Sequence, residues 1–385
     1  ALAAASLWIM TTPYGWAGSW GSESSVSLSS EYLSNPYMQP SDARSAEGVG
    51  LLMTLPASYV GNDDTFDFTP RLRFAHSWRN ASLLSNYQYF DAGWHAVRER
   101  DALQLNAGWH HDSTQYNAFE TAVLHGFVLQ RTEQTAGGDW QRSLTERSAL
   151  HLMGSWDAVS YARNSSFSLS NYRYGQLSLQ YDHDLTERLH WTGSMGAGRY
   201  TLPDSPVDYR SDNRFAQLGL TGQLTEVWSL TATAGVSDVS DHEQTFFATA
   251  SASKSAPSFT FDAQRRGERN AAEISVAHTI QPSGLGALVT QDDAFLRDTL
   301  NVSERLSVGA ALHGQRVRDT LQRLSVGELR NGAVDLTANW QWTEHWNANL
   351  QLSLNRRSDV QPAVQASGVG VFLTATRQFG RKPLN

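Results

Sequence analysis

Val334-Asp-Leu-Thr-Ala-Asn-Trp-Gln-Trp342 carries an apolar residue at every second position, and Trp346-Asn-Ala-Asn-Leu-Gln-Leu-Ser-Leu354, just past a short polar interruption, does the same. Successive side chains of a strand point to opposite faces. Val334, Leu336, Ala338, Trp340 and Trp342 therefore share one face, and Asp335, Thr337, Asn339 and Gln341 the other. In the second segment Trp346, Ala348, Leu350, Leu352 and Leu354 oppose Asn347, Asn349, Gln351, Ser353 and Asn355. Two such segments in sequence form a hairpin with one greasy and one wettable side.

The pattern recurs along the chain. Leu103, Leu105, Ala107 and Trp109 alternate with Gln104, Asn106, Gly108 and His110; Phe66, Phe68, Leu72 and Phe74 alternate with Asp67, Thr69, Arg71 and Arg73. Leu189, Trp191, Gly193, Met195 and Ala197 alternate with His190, Thr192, Ser194 and Gly196. The 385 residues are 40% hydrophobic with a mean hydropathy of -0.42. No apolar run is long enough to cross a bilayer as a helix, which excludes a helical membrane protein. Thirteen Trp, 13 Tyr and 15 Phe favour strands. The chain has no cysteine, hence no disulfide framework or thiolate chemistry. A net charge of -8 argues against a nucleic-acid partner. The opening Ala1-Leu-Ala-Ala-Ala-Ser-Leu-Trp-Ile-Met10, with Ala17 beyond it, reads as the remnant of a signal peptide over residues 1–17, leaving residues 18–385 as one domain.

A turn motif sets the topology. Leu144-Thr-Glu-Arg147 recurs as Leu185-Thr-Glu-Arg188, Leu224-Thr-Glu-Val227, Val302-Ser-Glu-Arg305 and Trp342-Thr-Glu-His345. Arg266-Gly-Glu-Arg269 fills the one doubled interval, and Arg98-Glu-Arg-Asp101 and Gly61-Asn-Asp-Asp64 extend the series upstream. A period of roughly 40 residues also suits a propeller blade of four strands, but each interval here holds two long strands, the length a tilted membrane strand needs. Eight short periplasmic turns with both termini on that side predict an all-β, antiparallel, up-and-down transmembrane barrel of about 18 strands. The longer loops are expected at residues 38–47, 116–137, 162–171, 201–213, 281–293 and 320–331. Residues 258–266 read as a descending strand and 273–280 as its ascending partner, with 245–255 in or near a surface loop.

Several phrases resemble the outer-membrane barrels encoded beside exopolysaccharide assembly genes, the exosortase-associated group among them. They are Val26-Ser-Leu-Ser-Ser-Glu-Tyr-Leu-Ser-Asn-Pro36, Phe68-Thr-Pro-Arg-Leu-Arg73, Arg98-Glu-Arg-Asp-Ala-Leu-Gln-Leu-Asn-Ala-Gly108 and Pro282-Ser-Gly-Leu-Gly286. The resemblance implies a translocation pore for a secreted polysaccharide, working with a periplasmic polysaccharide-export protein. Outer-membrane lipid and lipopolysaccharide are the other expected partners.

The polar faces supply the candidate lumen contacts: Arg71, Arg73, Asp91, His95, Gln104, Asn106, Gln176, Gln180, Asp182, Gln217, Asp262, Gln264, Asp335, Asn339, Gln341, Asn347, Asn349 and Gln351. Amides and hydroxyls exchange hydrogen bonds with sugars without a net charge barrier. Trp191, Trp228, Trp342 and Trp346 lie beside the short turns, where an aromatic girdle meets the membrane boundary. His110 and His111 point to opposite faces of a strand and so cannot share a metal. No metal, cofactor or enzymatic activity is expected. A lumen this wide needs closing, and Ala122-Val-Leu-His-Gly-Phe-Val-Leu129, apolar inside a long loop, is the segment expected to pack across the mouth. A general or solute-specific porin is the alternative reading.

Overall fold

The short turns are built by their own side chains. In the computed structural model, which describes residues 18–36, 38, 44–79, 86–114, 129–162, 169–205, 208–244, 249–321, 328–359 and 364–381, the Thr145 hydroxyl accepts the backbone N–H of Arg147 at 3.2 Å and Thr186 accepts that of Arg188 at 3.2 Å. Thr225, Ser303 and Thr343 likewise accept the N–H groups two and three residues on. The repeated Thr or Ser is thus a turn cap, satisfying donors that leave one strand before the next begins.

Those turns join long strands. The first half of the chain forms β1 (Ser19–Leu33), β2 (Ala46–Thr54), β3 (Ala57–Val60), β4 (Asp64–Arg79), β5 (Tyr87–Val97), β6 (Asp101–Ser113), β7 (Gln130–Thr145), β8 (Ser148–Tyr161) and β9 (Tyr172–Thr186). The second half forms β10 (Leu189–Thr201), β11 (Asp208–Gln223), β12 (Trp228–Gln244), β13 (Thr249–Arg266), β14 (Asn270–Ser283), β15 (Ala287–Asn301), β16 (Leu306–Asp319), β17 (Leu329–Gln341), β18 (Trp346–Asp359) and β19 (Val364–Arg381). Apart from β2 and β3, which both lie between β1 and β4, each pairs antiparallel with its neighbours in sequence, and β1 pairs β19 from Ser22↔Arg381 to Leu33↔Gly370, closing the sheet.

β2 and β3 are one barrel strand. Thr54 faces Ser25 and Arg71, while Ala57 faces Phe68 and Ser58 faces Gly21, so the register on both flanks is unchanged across the gap. The gap is Leu55-Pro56, where the proline has no N–H for the ladder. Nineteen segments with this pair counted once make an 18-strand barrel. All eight short turns fall where the repeat puts them.

The long loops are shorter than expected. β7 already begins at Gln130 and β11 at Asp208, so the ends of the expected loops 116–137 and 201–213 are strand. Residues 115–128, including most of the expected apolar lid, lie outside the described residues, as do 1–17. Residues 249–255 are not loop but the upper part of β13, paired with β12 up to Gln244↔Thr249. The expected loop 281–293 is a tight hairpin, with Ser283 and Ala287 paired on either side of a three-residue turn. On its β14 side that hairpin parts from the wall: β13 and β14 pair only up to Phe259↔His278, although both strands run further, while β15 stays paired with β16 as far as Val289↔Asp319. Pro257, two residues beyond, again has no N–H for a ladder.

Candidate functional site: the lumen wall and the closed mouth

The register decides which side chains share a face. Leu336 lies opposite Leu352 and Ala338 opposite Leu350, while Asp335 lies opposite Ser353 and Asn339 opposite Asn349. The apolar face stays uncovered by protein: Leu218 is 67% and Met195 62% exposed. Leaving such a belt in water is unfavourable, so it meets lipid and the polar face lines the lumen. Trp340, Trp342 and Trp346 are exposed near the short turns, and Arg377 lies 5.5 Å from the ring centre of Trp346, a pairing suited to a membrane boundary. Trp191 lies on the same outer face, 5.5 Å from Tyr181, and Trp228 opens β12 beside its turn.

The candidate lumen residues fall into four groups. From β4 to β6, Arg71 bonds Asp91 at 2.7 Å, Arg73 bonds Glu31 of β1, and His95 faces Gln104, with Asn106 one step along. On β9, Gln180 donates to Asp182 at 2.9 Å, and Gln176 accepts the Tyr174 hydroxyl at 2.7 Å. From β17 to β18, Gln351 donates to Asp335 at 3.1 Å, Asn349 donates to Asn339, and Gln341 faces Asn347. Gln217 donates to Ser258 at 3.1 Å, while Asp262 and Gln264 face Thr231 and Ser229 of β12. These candidates thus lie in four stretches of the wall, each tied by its own contacts.

Sequence reading missed the ion ladder that links the first patch upward. Asp91 also bonds His110 at 2.7 Å, His110 approaches Glu133 at 3.4 Å, and Arg131 bonds both carboxylate oxygens of Asp112 at 2.9 Å. Asp112 has no exposed surface and also accepts the Tyr89 hydroxyl at 2.6 Å. Further round, His151 sits between Asp139 at 3.2 Å and Asp182 at 3.0 Å. The opposite wall is mild: Thr233 bonds Thr260 at 2.7 Å, Thr221 meets Thr231 at 3.3 Å and Ser27 meets Thr376 at 2.8 Å. The lumen thus gathers its linked ion pairs over β4–β9, while hydroxyls and amides, with Asp262, Asp335 and the Arg357–Asp359 pair among them, prevail over β11–β13 and β17–β1.

At the mouth opposite the short turns, an arc of the wall carries a buried cluster on its lumen side. Tyr161, Tyr172, Tyr174 and Tyr200 sit on the lumen parity of their strands and pack with Leu129, Val159, Val239 and Leu288 into a buried cluster. The β14–β15 hairpin, four strands along the wall from β10, reaches into it. The Tyr200 hydroxyl donates to the Ser283 carbonyl at 2.7 Å, and the Ser170 N–H donates to the Gly284 carbonyl at 2.7 Å. Ala287, Leu288, Val289 and Thr290 are buried in succession, covered on both faces even though Val289 and Thr290 still pair with β16. Gly284 fits beneath Tyr161, whose hydroxyl would lie 2.6 Å from an added Cβ, and Gly286 takes the positive φ of 92° that ends the turn. Among the described residues the tip of β14–β15 packs on this cluster, and of the expected lid Leu129 joins it.

A closed 18-strand antiparallel barrel with a lipid-facing apolar belt and a polar lumen is an outer-membrane β-barrel, with the architecture of the outer-membrane transport barrels. Solved structures of that kind resemble it: the ferric citrate transporter FecA in its unliganded form (TM-score 0.52, 9% identity, 96% of this chain and 80% of that one); the ferric-catecholate import receptor Fiu from E. coli K12 (0.48, 12%, 96% and 82%); and OpdK of Pseudomonas aeruginosa with vanillate (0.48, 12%, 94% and 99%). No family model and no curated protein sequence matches the chain.

Proposed function

We propose that this barrel is the outer-membrane pore through which a secreted exopolysaccharide leaves the cell, working with a periplasmic polysaccharide-export protein. The observation that carries the reading is a polar lumen with a hairpin of the barrel itself packed on a buried cluster at its exit, where it serves as a stopper. Amide and hydroxyl groups along β11–β13 and β17–β18 offer sugar hydroxyls both donors and acceptors, and the stopper keeps a wide pore from leaking solutes when no polymer is passing. The phrases shared with exopolysaccharide-locus barrels support the same reading. A deletion strain tests it: polymer synthesis continues while polymer fails to reach the cell surface.

The charged side of the lumen favours a second reading, a solute-specific porin. Facing rows of ion pairs and neutral groups create a transverse field that sorts small charged solutes. In that case the deletion strain exports its polysaccharide normally and loses uptake of a small nutrient.

A further inference from the structure

The outer face of β15–β18 carries a depression with a basic rim. Ala294, Gly314 and Gly332 stand opposite one another across three strands, and larger apolar residues, Leu296, Leu312, Val334 and Leu354, form the row beneath them. The result is a groove of about 800 Å³ open toward the membrane. The glycines are not demanded by packing: a Cβ at Gly314 would meet nothing within 4 Å, and one at Gly332 only the His313 carbonyl oxygen at 3.9 Å. Glycine weakens a strand interior, so two of them side by side cost stability without a folding reason.

The row above the groove is charged. Arg316 faces both Asp292 and Arg330 across its neighbouring strands, and Arg318 and Arg356 flank them. Like charges placed directly opposite each other destabilise a sheet. Glu328 bridges Arg316 and Arg330; burial raises its carboxyl pKa, but the two guanidinium hydrogen bonds outweigh that and hold it below the usual carboxylate range. Asp292 bonds Arg318 at 3.0 Å and also His278. Four arginines against two carboxylates leave an excess of positive charge. Its height is set by geometry: Arg316 lies ten residues up β16 from Leu306 at the short-turn end, about 33 Å along the strand and about 25 Å along the normal at a tilt near 40°. That is the far edge of the apolar band, the headgroup level of the outer leaflet.

The geometry points to a binding site for a phosphorylated acyl lipid of the outer leaflet, of the lipid A kind, with an acyl chain in the Gly314–Gly332 groove and its phosphate between Arg316 and Arg330. Phosphate suits the rim because guanidinium groups bind it through paired hydrogen bonds and it screens the Arg316–Arg330 repulsion. The site is independent of what the lumen carries.

The test uses the full chain refolded in detergent, with lipid binding read by native mass spectrometry against bisphosphorylated lipid A and its dephosphorylated form. Wild type retains the phosphorylated lipid and binds the dephosphorylated one at least about tenfold more weakly, the loss expected for a charge-assisted contact. Arg316→Ala/Arg330→Ala brings the first lipid down to the level of the second. Gly314→Phe fills the groove and weakens both. Equal binding of the two lipids by wild type, which requires no variant to fold, overturns the proposal, as does undiminished binding of lipid A by either variant.

Discussion

The Tyr200 hydroxyl and the Ser283 carbonyl, 83 positions apart in sequence, meet at 2.7 Å inside the barrel mouth. Between them they tie the wall at β10 to a hairpin that belongs to the wall at β14–β15. Tyr200→Phe removes that hydrogen bond, a change of about 1 kcal/mol, and shifts the closed–open balance about fivefold toward open. Gly284→Val goes further, because its side chain has to displace the Tyr161 ring. Planar-bilayer recordings should show rare openings in wild type, more frequent ones in Tyr200→Phe and a largely open pore in Gly284→Val. Three indistinguishable conductances would mean that the hairpin is not the gate.

Asp112 and Arg131 make a two-pronged ion pair with almost no water around it. Asp112→Ala takes from the Arg131 guanidinium its two-pronged partner, leaving Glu133 at 3.5 Å, and from the Tyr89 hydroxyl its acceptor, at up to about 3–5 kcal/mol. Denaturant titration followed by the gel mobility of the folded barrel checks this; a shift below about 1 kcal/mol rules the pair out as a structural tie.

Leu350 and Gln351 are neighbours in β18 on opposite faces. Leu350→Arg puts a charge against lipid near mid-strand and destabilises by about 2–4 kcal/mol, whereas Gln351→Arg enters the wet lumen at little cost. Equal effects in a folding assay with lipid vesicles would remove the distinction between the two faces.

Single cysteines report the orientation. Glu187→Cys and Glu344→Cys sit in short turns and are shielded from an impermeant maleimide in intact cells, while Pro203→Cys, in the β10–β11 connection at the mouth end, is labelled. The opposite labelling pattern inverts the barrel in the membrane.

Strand positions and turns were readable because each is decided locally. A Thr or Ser that caps its own turn, followed by Glu, announces the reversal without help from the rest of the fold, and alternation follows wherever one face meets lipid and the other water. The reading fails where that condition fails. Ala287 to Thr290 are covered on both sides, so their run carries no period, and the phrase Gln281-Pro-Ser-Gly-Leu-Gly286 looks like exposed loop although its tip is buried. The tyrosines of the mouth do sit on the polar parity of their strands: Tyr172 and Tyr174 with Gln176 and Gln180, Tyr200 with Thr192 and Ser194. Tracking aromatics that break the polar face, rather than apolar runs in loops, would have found the stopper. The ion ladder escaped because Asp91, His110 and Glu133 come from three strands whose relative register only the folded sheet supplies.

The early parting of β13 from β14 has a mechanical side. Below Phe259 and His278 every strand is hydrogen-bonded to both neighbours, so the girth of the barrel there is fixed by its strand number. Above that level the cylinder is slit, with the free edge of β13 on one lip and the departing β14 on the other. A slit ring can spring wider by letting its lips separate, with no ladder to break, while a closed ring cannot. The rim on the hairpin side is therefore the elastic end of the barrel, able to stretch around something bulkier than its resting bore admits, and the short-turn end is the rigid collar that holds its shape while this happens.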